Sequence, residues 1–315
     1  MARVSNTETF SYKVKSESAA SITGRKRCDA CLLGMLLFCN TLESDEIVFQ
    51  TENDVVRDLF IRLVNHATEN EKAVTVTEIK KRGRPRLHSL RIDKPSVCRA
   101  VLERVGIDPI KPSRFFADNK LPKEKDLGAF VAGAFLTCGS VLKPESEYHL
   151  EFVMSQICLC NDLGQMFIDR LSILGKYTQR KSSHVMYLKE SEHIEDVLTL
   201  IGAPLSALEI MNVKILKDVR NHVNRAANCD IANAEKQSRS SQRQIDAINV
   251  IEQSEGGLSA LPDELREIAE MRLENPDFTL AEIAEAFDPP LSRSGANHRF
   301  KRLEQIADQL SKKTV

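Results

Sequence analysis

Apolar residues recur along this chain with two periods, and the same order of periods occurs twice. Residues 30–39 and 129–138 are mainly apolar, and in each stretch Gly follows the first Ala by four residues, at Gly34 and Gly133. Small residues four apart lie on one face of a helix and let two backbones approach closely. The pattern therefore predicts a duplicated unit whose two copies meet through these helices.

The repeat continues beyond each apolar helix. A run of period two follows at 47–51 and again at 149–153, which predicts a half-buried strand in each copy. The rest of each copy is predicted as a helix, two short strands and a closing helix that ends in Gly. In the first copy these elements are expected at 53–64, 73–79, 87–92 and 101–106. In the second copy they are expected at 161–171, 175–179, 185–188 and 197–202. We therefore expect an α+β fold, in which a duplicated α/β pseudo-dimer precedes an all-α domain.

Changes in composition predict where the domains begin and end. A segment rich in Pro, Lys and Asp separates the two copies, and a mildly basic helical stretch follows the second copy. The predicted divisions are an N-terminal segment 1–26, a first half 27–107, a linker 108–126, a second half 127–205, a helical connector 206–253 and a C-terminal domain 254–315.

Composition narrows the class of protein. The chain has 315 residues, of which 42% are hydrophobic and 28% charged, with a formal net charge of -1, as in ordinary globular proteins. A near-neutral chain can still carry a local basic surface. The longest apolar run, 30–39, is half a membrane span, and no signal peptide is evident, so we expect no membrane partner. The eight cysteines lie mostly in apolar segments and predict a reduced, cytoplasmic protein.

The end of the chain predicts three helices joined by short turns, at 261–272, 279–287 and 291–306. Thr279 followed by Glu282 has the spacing of a capping box. Between Leu261 and Asp288 there are nine acids and two bases, whereas Pro289–Leu303 contains four bases and no acid. A short helix, a tight turn and a second helix that carries the bases are typical of helix-turn-helix DNA binding.

In this interpretation the start of the last helix contacts double-stranded DNA. Polar residues near its start are expected to meet base edges, and the arginines to meet phosphates or guanines. The predicted DNA-binding residues are Thr279, Ser292, Arg293, Ser294, Gly295, Asn297, His298, Arg299, Lys301 and Arg302. The alternatives are a structural three-helix bundle and a basic end that binds a protein partner.

Two other basic segments are possible auxiliary DNA contacts. Residues 81–86 have the sequence Lys-Arg-Gly-Arg-Pro-Arg, the core of an AT-hook, which contributes Arg82, Arg84 and Arg86. The same Gly and Pro also suit a hairpin turn. Arg220 and Arg225 lie in the connector, whose polar face is either solvated or in contact with phosphates.

The duplicated helix with its small-residue seam resembles the core of LAGLIDADG homing endonucleases. Residues 131–139 keep the small pair and the last Gly of that motif, and 32–40 keep its central Gly. In such nucleases an acid near each helix end binds magnesium, and the corresponding positions here are Cys39 and Cys138. Thiols are poor magnesium ligands. The resemblance therefore implies a LAGLIDADG-like scaffold without catalysis, with no metal and no other cofactor.

A degenerate LAGLIDADG pair followed by a helical tail is the architecture of the bacterial WhiA family, and the resemblance covers nearly the whole chain. It is most specific at 220–233 and at 288–299. It implies a DNA-binding transcriptional regulator linked to cell division, chromosome segregation and, in spore-formers, sporulation. We expect it to be cytoplasmic and nucleoid-associated, with double-stranded DNA and a possible protein co-regulator as partners.

Two hypotheses from other classes compete with this interpretation. One is an active metal-dependent endonuclease that uses other acids, such as Glu151 or Asp162. The other is an assembly factor whose basic helix binds an acidic protein. Cys28 and Cys31 have zinc-like spacing, but no second pair completes a site, and we interpret them as free thiols.

Overall fold

The computed structural model describes residues 9–80 and 86–313. They form two compact units, with the boundary between Lys217 and Asp218. The first unit contains two copies of one α/β arrangement, and the second is helical. The predicted α+β class, with a duplicated domain followed by an all-α region, is confirmed.

The two copies repeat the same elements in the same order. The first copy follows helix α1 (Phe10–Ser21) and contains α2 (Arg25–Leu37), β1 (Thr41–Leu42), β2 (Ile47–Thr51), α3 (Asp54–Thr68), β3 (Thr75–Ile79), β4 (Leu87–Ile92) and α4 (Pro95–Val105). The second copy contains α5 (Glu124–Cys138), β5 (Gly139–Val141), β6 (Leu150–Met154), α6 (Ile157–Leu171), β7 (Lys176–Arg180), β8 (Ser183–Leu188) and α7 (Ser191–Leu200). Both sheets are antiparallel, with strand orders β1-β2-β4-β3 and β5-β6-β8-β7.

Helices α2 and α5 form the seam between the copies, as the small residues predict. A Cβ atom placed on Gly34 would lie 2.2 Å from the carbonyl oxygen of Phe130, and one on Gly133 would lie 2.1 Å from that of Cys31. Only glycine allows the two backbones to approach this closely. The seam therefore depends on the same pair of residues, one from each copy.

Each sheet packs one face on helices. In the first copy Phe49 pairs with Leu90 across β2 and β4, and its ring stacks on Phe60 of α3 with centroids 4.6 Å apart. In the second copy Phe152 lies edge-on to Phe167 of α6, with centroids 5.7 Å apart. These aromatic side chains are fully buried, and they join the sheets and the seam in one hydrophobic core.

Helix α1 is an element that the sequence pattern did not predict. Its segment mixes charges with few large apolar residues, so the helical period is weak. Val14, and Ile22 directly after the helix, are nevertheless fully buried against the core. The Thr9 side chain accepts a hydrogen bond from the amide of Tyr12 and caps the helix start. This helix brings Lys15 to the end of α5.

The second unit begins within the long helix α8 (Pro204–Glu252) and continues with α9 (Asp263–Glu274), α10 (Leu280–Glu285) and α11 (Arg293–Lys313). Ala247, Ile248 and Ile251 of α8 are buried in the same core as Phe300 of α11. The last turns of the segment predicted as a connector therefore form part of the helical unit. Within the described residues, no helix is long and apolar enough to span a membrane.

Candidate nucleic-acid interface

Helix α10 starts with the capping box that the sequence predicts. The amide of Glu282 donates to the Thr279 hydroxyl at 3.2 Å, and the amide of Thr279 donates to the Glu282 carboxylate at 2.6 Å. These hydrogen bonds to Thr279 hold the pKa of Glu282 below its usual range. The Thr279 side chain is thus engaged in the start of the helix.

The turn between α10 and α11 is fixed at both ends. The amide of Leu291 donates to the carbonyl of Ala284 at 2.8 Å, which closes the turn. Ser292 caps α11, because its hydroxyl accepts a hydrogen bond from the amide of Gly295 at 3.0 Å. Ser292 and Gly295, both predicted as DNA contacts, therefore also set where the last helix begins.

Helix α11 has a buried face and an exposed basic face. Ala296, Phe300, Leu303 and Ala307 are buried in the core of the helical unit. The exposed residues of its first three turns are Arg293, Ser294, His298, Lys301 and Arg302, and Asn297 is partly buried. No acid occurs on α11 before Glu304, so this face presents only polar and basic groups.

Arg299 is placed differently from the other predicted DNA contacts. Its guanidinium lies 3.5 Å from the Glu264 carboxylate, donates to the Glu264 carbonyl at 3.4 Å and lies over the ring of Phe287. Only 20% of its side chain is exposed. These contacts hold α11 against the start of α9. Arg299 therefore positions the helix, and its guanidinium is not a free cation.

Of the predicted auxiliary arginines, the structure describes Arg86, Arg220 and Arg225. Arg82 and Arg84 lie outside the described residues. Arg86, the last residue of the segment that resembles an AT-hook, pairs with Glu78 of β3 at 3.2 Å. Arg220 and Arg225 are exposed on α8, and the Arg225 side chain donates to the carbonyl of Asn221.

At the end of α2, where LAGLIDADG nucleases carry an acid, Cys39 is buried. Its thiol donates to the carbonyl of Thr41 at 3.0 Å. Burial raises its pKa to about 11, although Arg114 opposes this shift. Arg114 belongs to the linker, and it donates to the carbonyls of Leu37 at 2.9 Å and Cys39 at 2.7 Å. A basic side chain thus occupies the end of this helix.

The end of α5 shows the same arrangement with different residues. The Cys138 thiol donates to the carbonyl of Ala134, and burial raises its pKa to about 12. Lys15 of α1 donates to the carbonyl of Leu136 at 3.2 Å. At both helix ends a neutral thiol therefore stands beside a cation, a combination that is unfavourable for a divalent metal ion.

The acids of the competing endonuclease hypothesis are engaged in other contacts. Glu151 pairs with Arg180 at 2.8 Å and with His149 at 3.1 Å. Asp162 accepts a hydrogen bond from the amide of Phe116 and ties the linker to α6. Over residues 9–80 and 86–313, no group of three or more His, Cys, Asp or Glu side chains could hold a metal ion.

Comparisons with known proteins agree with this arrangement. The model of the WhiA LAGLIDADG-like domain matches residues 127–220, and that of the WhiA C-terminal HTH domain matches residues 223–307. The probable cell division protein WhiA of Clostridium tetani is 35% identical, over 96% of this chain and 98% of that protein. The protein of the same name from Clostridium perfringens is 34% identical over the same shares. The chain belongs to the WhiA family.

A solved WhiA structure has the same architecture. Full-length DUF199/WhiA from Thermotoga maritima matches with a TM-score of 0.58 and 25% identity, over 96% of this chain and 99% of that chain. The resemblance to the WhiA family found in the sequence is thereby confirmed. The two matched domains show that this WhiA-family chain combines a LAGLIDADG-like scaffold with a helix-turn-helix.

Sequence reasoning missed one central residue of the WhiA-type helical unit. Arg272 of α9 is only 2% exposed, and its Nε donates to the Gln244 side chain of α8 at 3.0 Å. Its Nη1 donates to the carbonyls of Asn275, Pro276 and Phe278, the last at 2.6 Å. Desolvation lowers its pKa. The only sequence signal was its place on the apolar side of a predicted helix.

Proposed function

We propose that the chain is a sequence-reading DNA-binding protein in which α11 enters the major groove of double-stranded DNA. The observation that carries this proposal is the exposed face of the first turns of α11, where His298, Lys301 and Arg302 lie together without an acid. Base edges in the major groove present acceptors to such donors, and phosphates attract the cations.

The contact residues have different roles in this proposal. Ser294, Asn297, His298 and Lys301 read base edges, and Arg293 and Arg302 contact phosphates or guanines. Thr279, Ser292, Gly295 and Arg299 position the two helices through the contacts described above. Arg86, Arg220 and Arg225 are proposed auxiliary contacts. The boundaries of the DNA-binding domain at 254–315, and of the segments before it, remain a prediction.

The proposed cellular role rests on membership of the family. We propose a WhiA-like transcriptional regulator that is cytoplasmic and nucleoid-associated, with roles in cell division, chromosome segregation and, in a spore-forming host, sporulation. The names of the relatives support the first of these roles. The LAGLIDADG-like domain acts without catalysis, as a scaffold for further DNA contact or for a protein co-regulator. The occupied ends of α2 and α5 support this assignment.

Two lysines of α11 provide a matched test of the DNA contact. Lys301 and Lys312 are both exposed and lie three turns apart along the same side of the helix. We expect Lys301→Gln to weaken binding to genomic duplex fragments by about tenfold at low salt, the usual cost of one lost polar contact to DNA. Lys312→Gln removes the same charge and should change the affinity less than twofold.

Binding should be measured by fluorescence anisotropy at several salt concentrations. The wild type should lose affinity steeply as salt rises, because phosphate contacts release counterions. Equal effects of Lys301→Gln and Lys312→Gln would contradict groove contact by the start of α11. Cleavage of supercoiled DNA that stops with a chelator would instead establish the endonuclease.

A further inference from the structure

A cavity of about 550 Å³ lies in the helical unit beside the helix-turn-helix. It is lined by residues of α8, among them Lys236, Gln237 and Ser240, and by Phe278 and the starts of α10 and α11. Its volume falls within the range of about 300 to 1,000 Å³ that is usual for small-molecule sites.

The charge of the cavity has one sign. Lys236, Arg272 and Arg293 line it, and no Asp or Glu does. Neither Lys236 nor Arg293 has an ion pair within the described residues. The neighbouring Arg239, by contrast, pairs with Glu235 at 3.4 Å. The cavity therefore concentrates positive charge in a unit whose other helices, α9 and α10, are rich in acids.

Arg272 adds an observation independent of the surface charges. It is a buried cation without a carboxylate partner in the described part of the chain, and only Nε and Nη1 are hydrogen-bonded. Its Nη2 has no hydrogen-bond partner among those residues and is not sealed from solvent, so it is available to the cavity that Arg272 lines. A buried guanidinium usually meets an anion, since its charge is otherwise poorly compensated.

We propose that this cavity binds a phosphate group, and that its occupant is a nucleotide-sized phosphorylated molecule. Arg272 and Lys236 would hold the phosphate, because a guanidinium and an ammonium are the common donors to phosphate oxygens. Phe278 is 39% exposed at the cavity and offers an apolar surface for a base, while Gln237 and Ser240 offer polar groups. Arg293 couples the cavity to the first turn of α11.

The same chemistry has a second source, a backbone phosphate of bound DNA. A duplex would reach the cavity through Arg293, which is exposed, lines the cavity and lies at the DNA in the proposed function. A free nucleotide needs no DNA and can contact Arg272 within the cavity. If the occupant is a free nucleotide, the inference goes beyond the proposed function. If the phosphate belongs to bound DNA, the inference rests on the proposed function.

The test compares two cations of α8 in the full-length protein. Binding of ATP and of pyrophosphate is measured by titration calorimetry without DNA and without divalent metal, at constant ionic strength. We expect saturable binding that Lys236→Gln weakens about tenfold, as for one lost charge-assisted contact. Arg239→Gln removes a charge three residues away that already has a partner, and should leave the affinity within twofold.

Affinity for DNA is measured for the same two variants, with Lys301→Gln as the reference for groove contact. If neither anion binds but Lys236→Gln alone weakens DNA binding and its salt dependence, a nucleotide-sized occupant is ruled out, and the phosphate that binds in the cavity belongs to the duplex. If Lys236→Gln and Arg239→Gln behave alike in both assays, the cavity is not a phosphate site. Failure of Lys301→Gln to weaken DNA binding would contradict the proposed function and leave the calorimetric result unaffected.

Discussion

Lys15 shows how one side chain changes the chemistry of an inherited site. Its ammonium group lies at the end of α5, within hydrogen-bond distance of the Leu136 carbonyl. Burial lowers its pKa to about 8, and the negative charge of Glu52 partly opposes that shift. Next to Cys138, at the position where the nuclease family carries a metal-binding acid, this chain therefore places a titratable cation.

The pKa of Lys15 leads to a prediction about stability. Between pH 8 and about 10.5 the unfolded chain still holds a proton on this lysine, whereas the folded chain has lost it. Because the unfolded state binds more protons in this range, Lys15 makes the free energy of unfolding increase with pH. The free energy of unfolding of the wild type, relative to that of Lys15→Met, should therefore increase as the pH rises through this range. Urea unfolding at pH 7 and pH 10 measures it.

An NMR titration of the lysine Cε resonances provides the control. Lys15 should titrate near pH 8, well below the exposed lysines, and Glu52→Gln should lower its midpoint further because the Glu52 charge raises this pKa. A midpoint near the ordinary value of about 10.4 would show that the amine is solvated.

Among the single elements of the fold, the seam between α2 and α5 can be tested by one substitution. In Gly34→Ala the new Cβ would lie 2.2 Å from the Phe130 carbonyl oxygen, so the helices must separate. We expect a loss of about 1 to 3 kcal/mol in the free energy of unfolding, as for other overpacked sites. Chemical denaturation of the full chain measures this loss.

Gly295→Ala is the control for this substitution. Its Cβ would lie 3.2 Å from the Ser292 hydroxyl, a contact that a small side-chain movement can relieve. Alanine also favours a helix over glycine. Gly295→Ala should therefore change stability by less than Gly34→Ala, and an equal loss would mean that the seam is not the cause.

The elements also show what the sequence could predict. Strand 47–51 agrees with β2, and the repeated Ala and Gly located the seam, because close packing of two helices leaves a local signature. Helix α1 left none, since only polar residues and two alanines lie between Val14 and Ile22, which gain their burial from the folded core. Likewise the roles of Arg114 and Arg272 depend on carbonyls brought near them by tertiary folding.

At the scale of the whole molecule, the described residues form two separate hydrophobic cores. The first contains Phe60 and the second contains Phe300, and both side chains are at most 1% exposed. Residues 218–239 of α8 are all exposed and belong to neither core. Cooperativity depends on shared buried contacts, so the two units should unfold as separate transitions.

Two core substitutions test this separation by scanning calorimetry. Phe60→Ala should lower the melting temperature of one transition, and Phe300→Ala that of the other. Each substitution should reduce the free energy of unfolding of its unit by about 3 to 5 kcal/mol, the usual cost of removing a buried phenyl ring. Duplex DNA should raise the melting temperature of only the transition that Phe300→Ala affects, because the proposed interface lies in that unit. One transition that moves with both substitutions would show instead that the cores unfold together. In that case a ligand bound beside α11 would stabilise the LAGLIDADG-like scaffold as well.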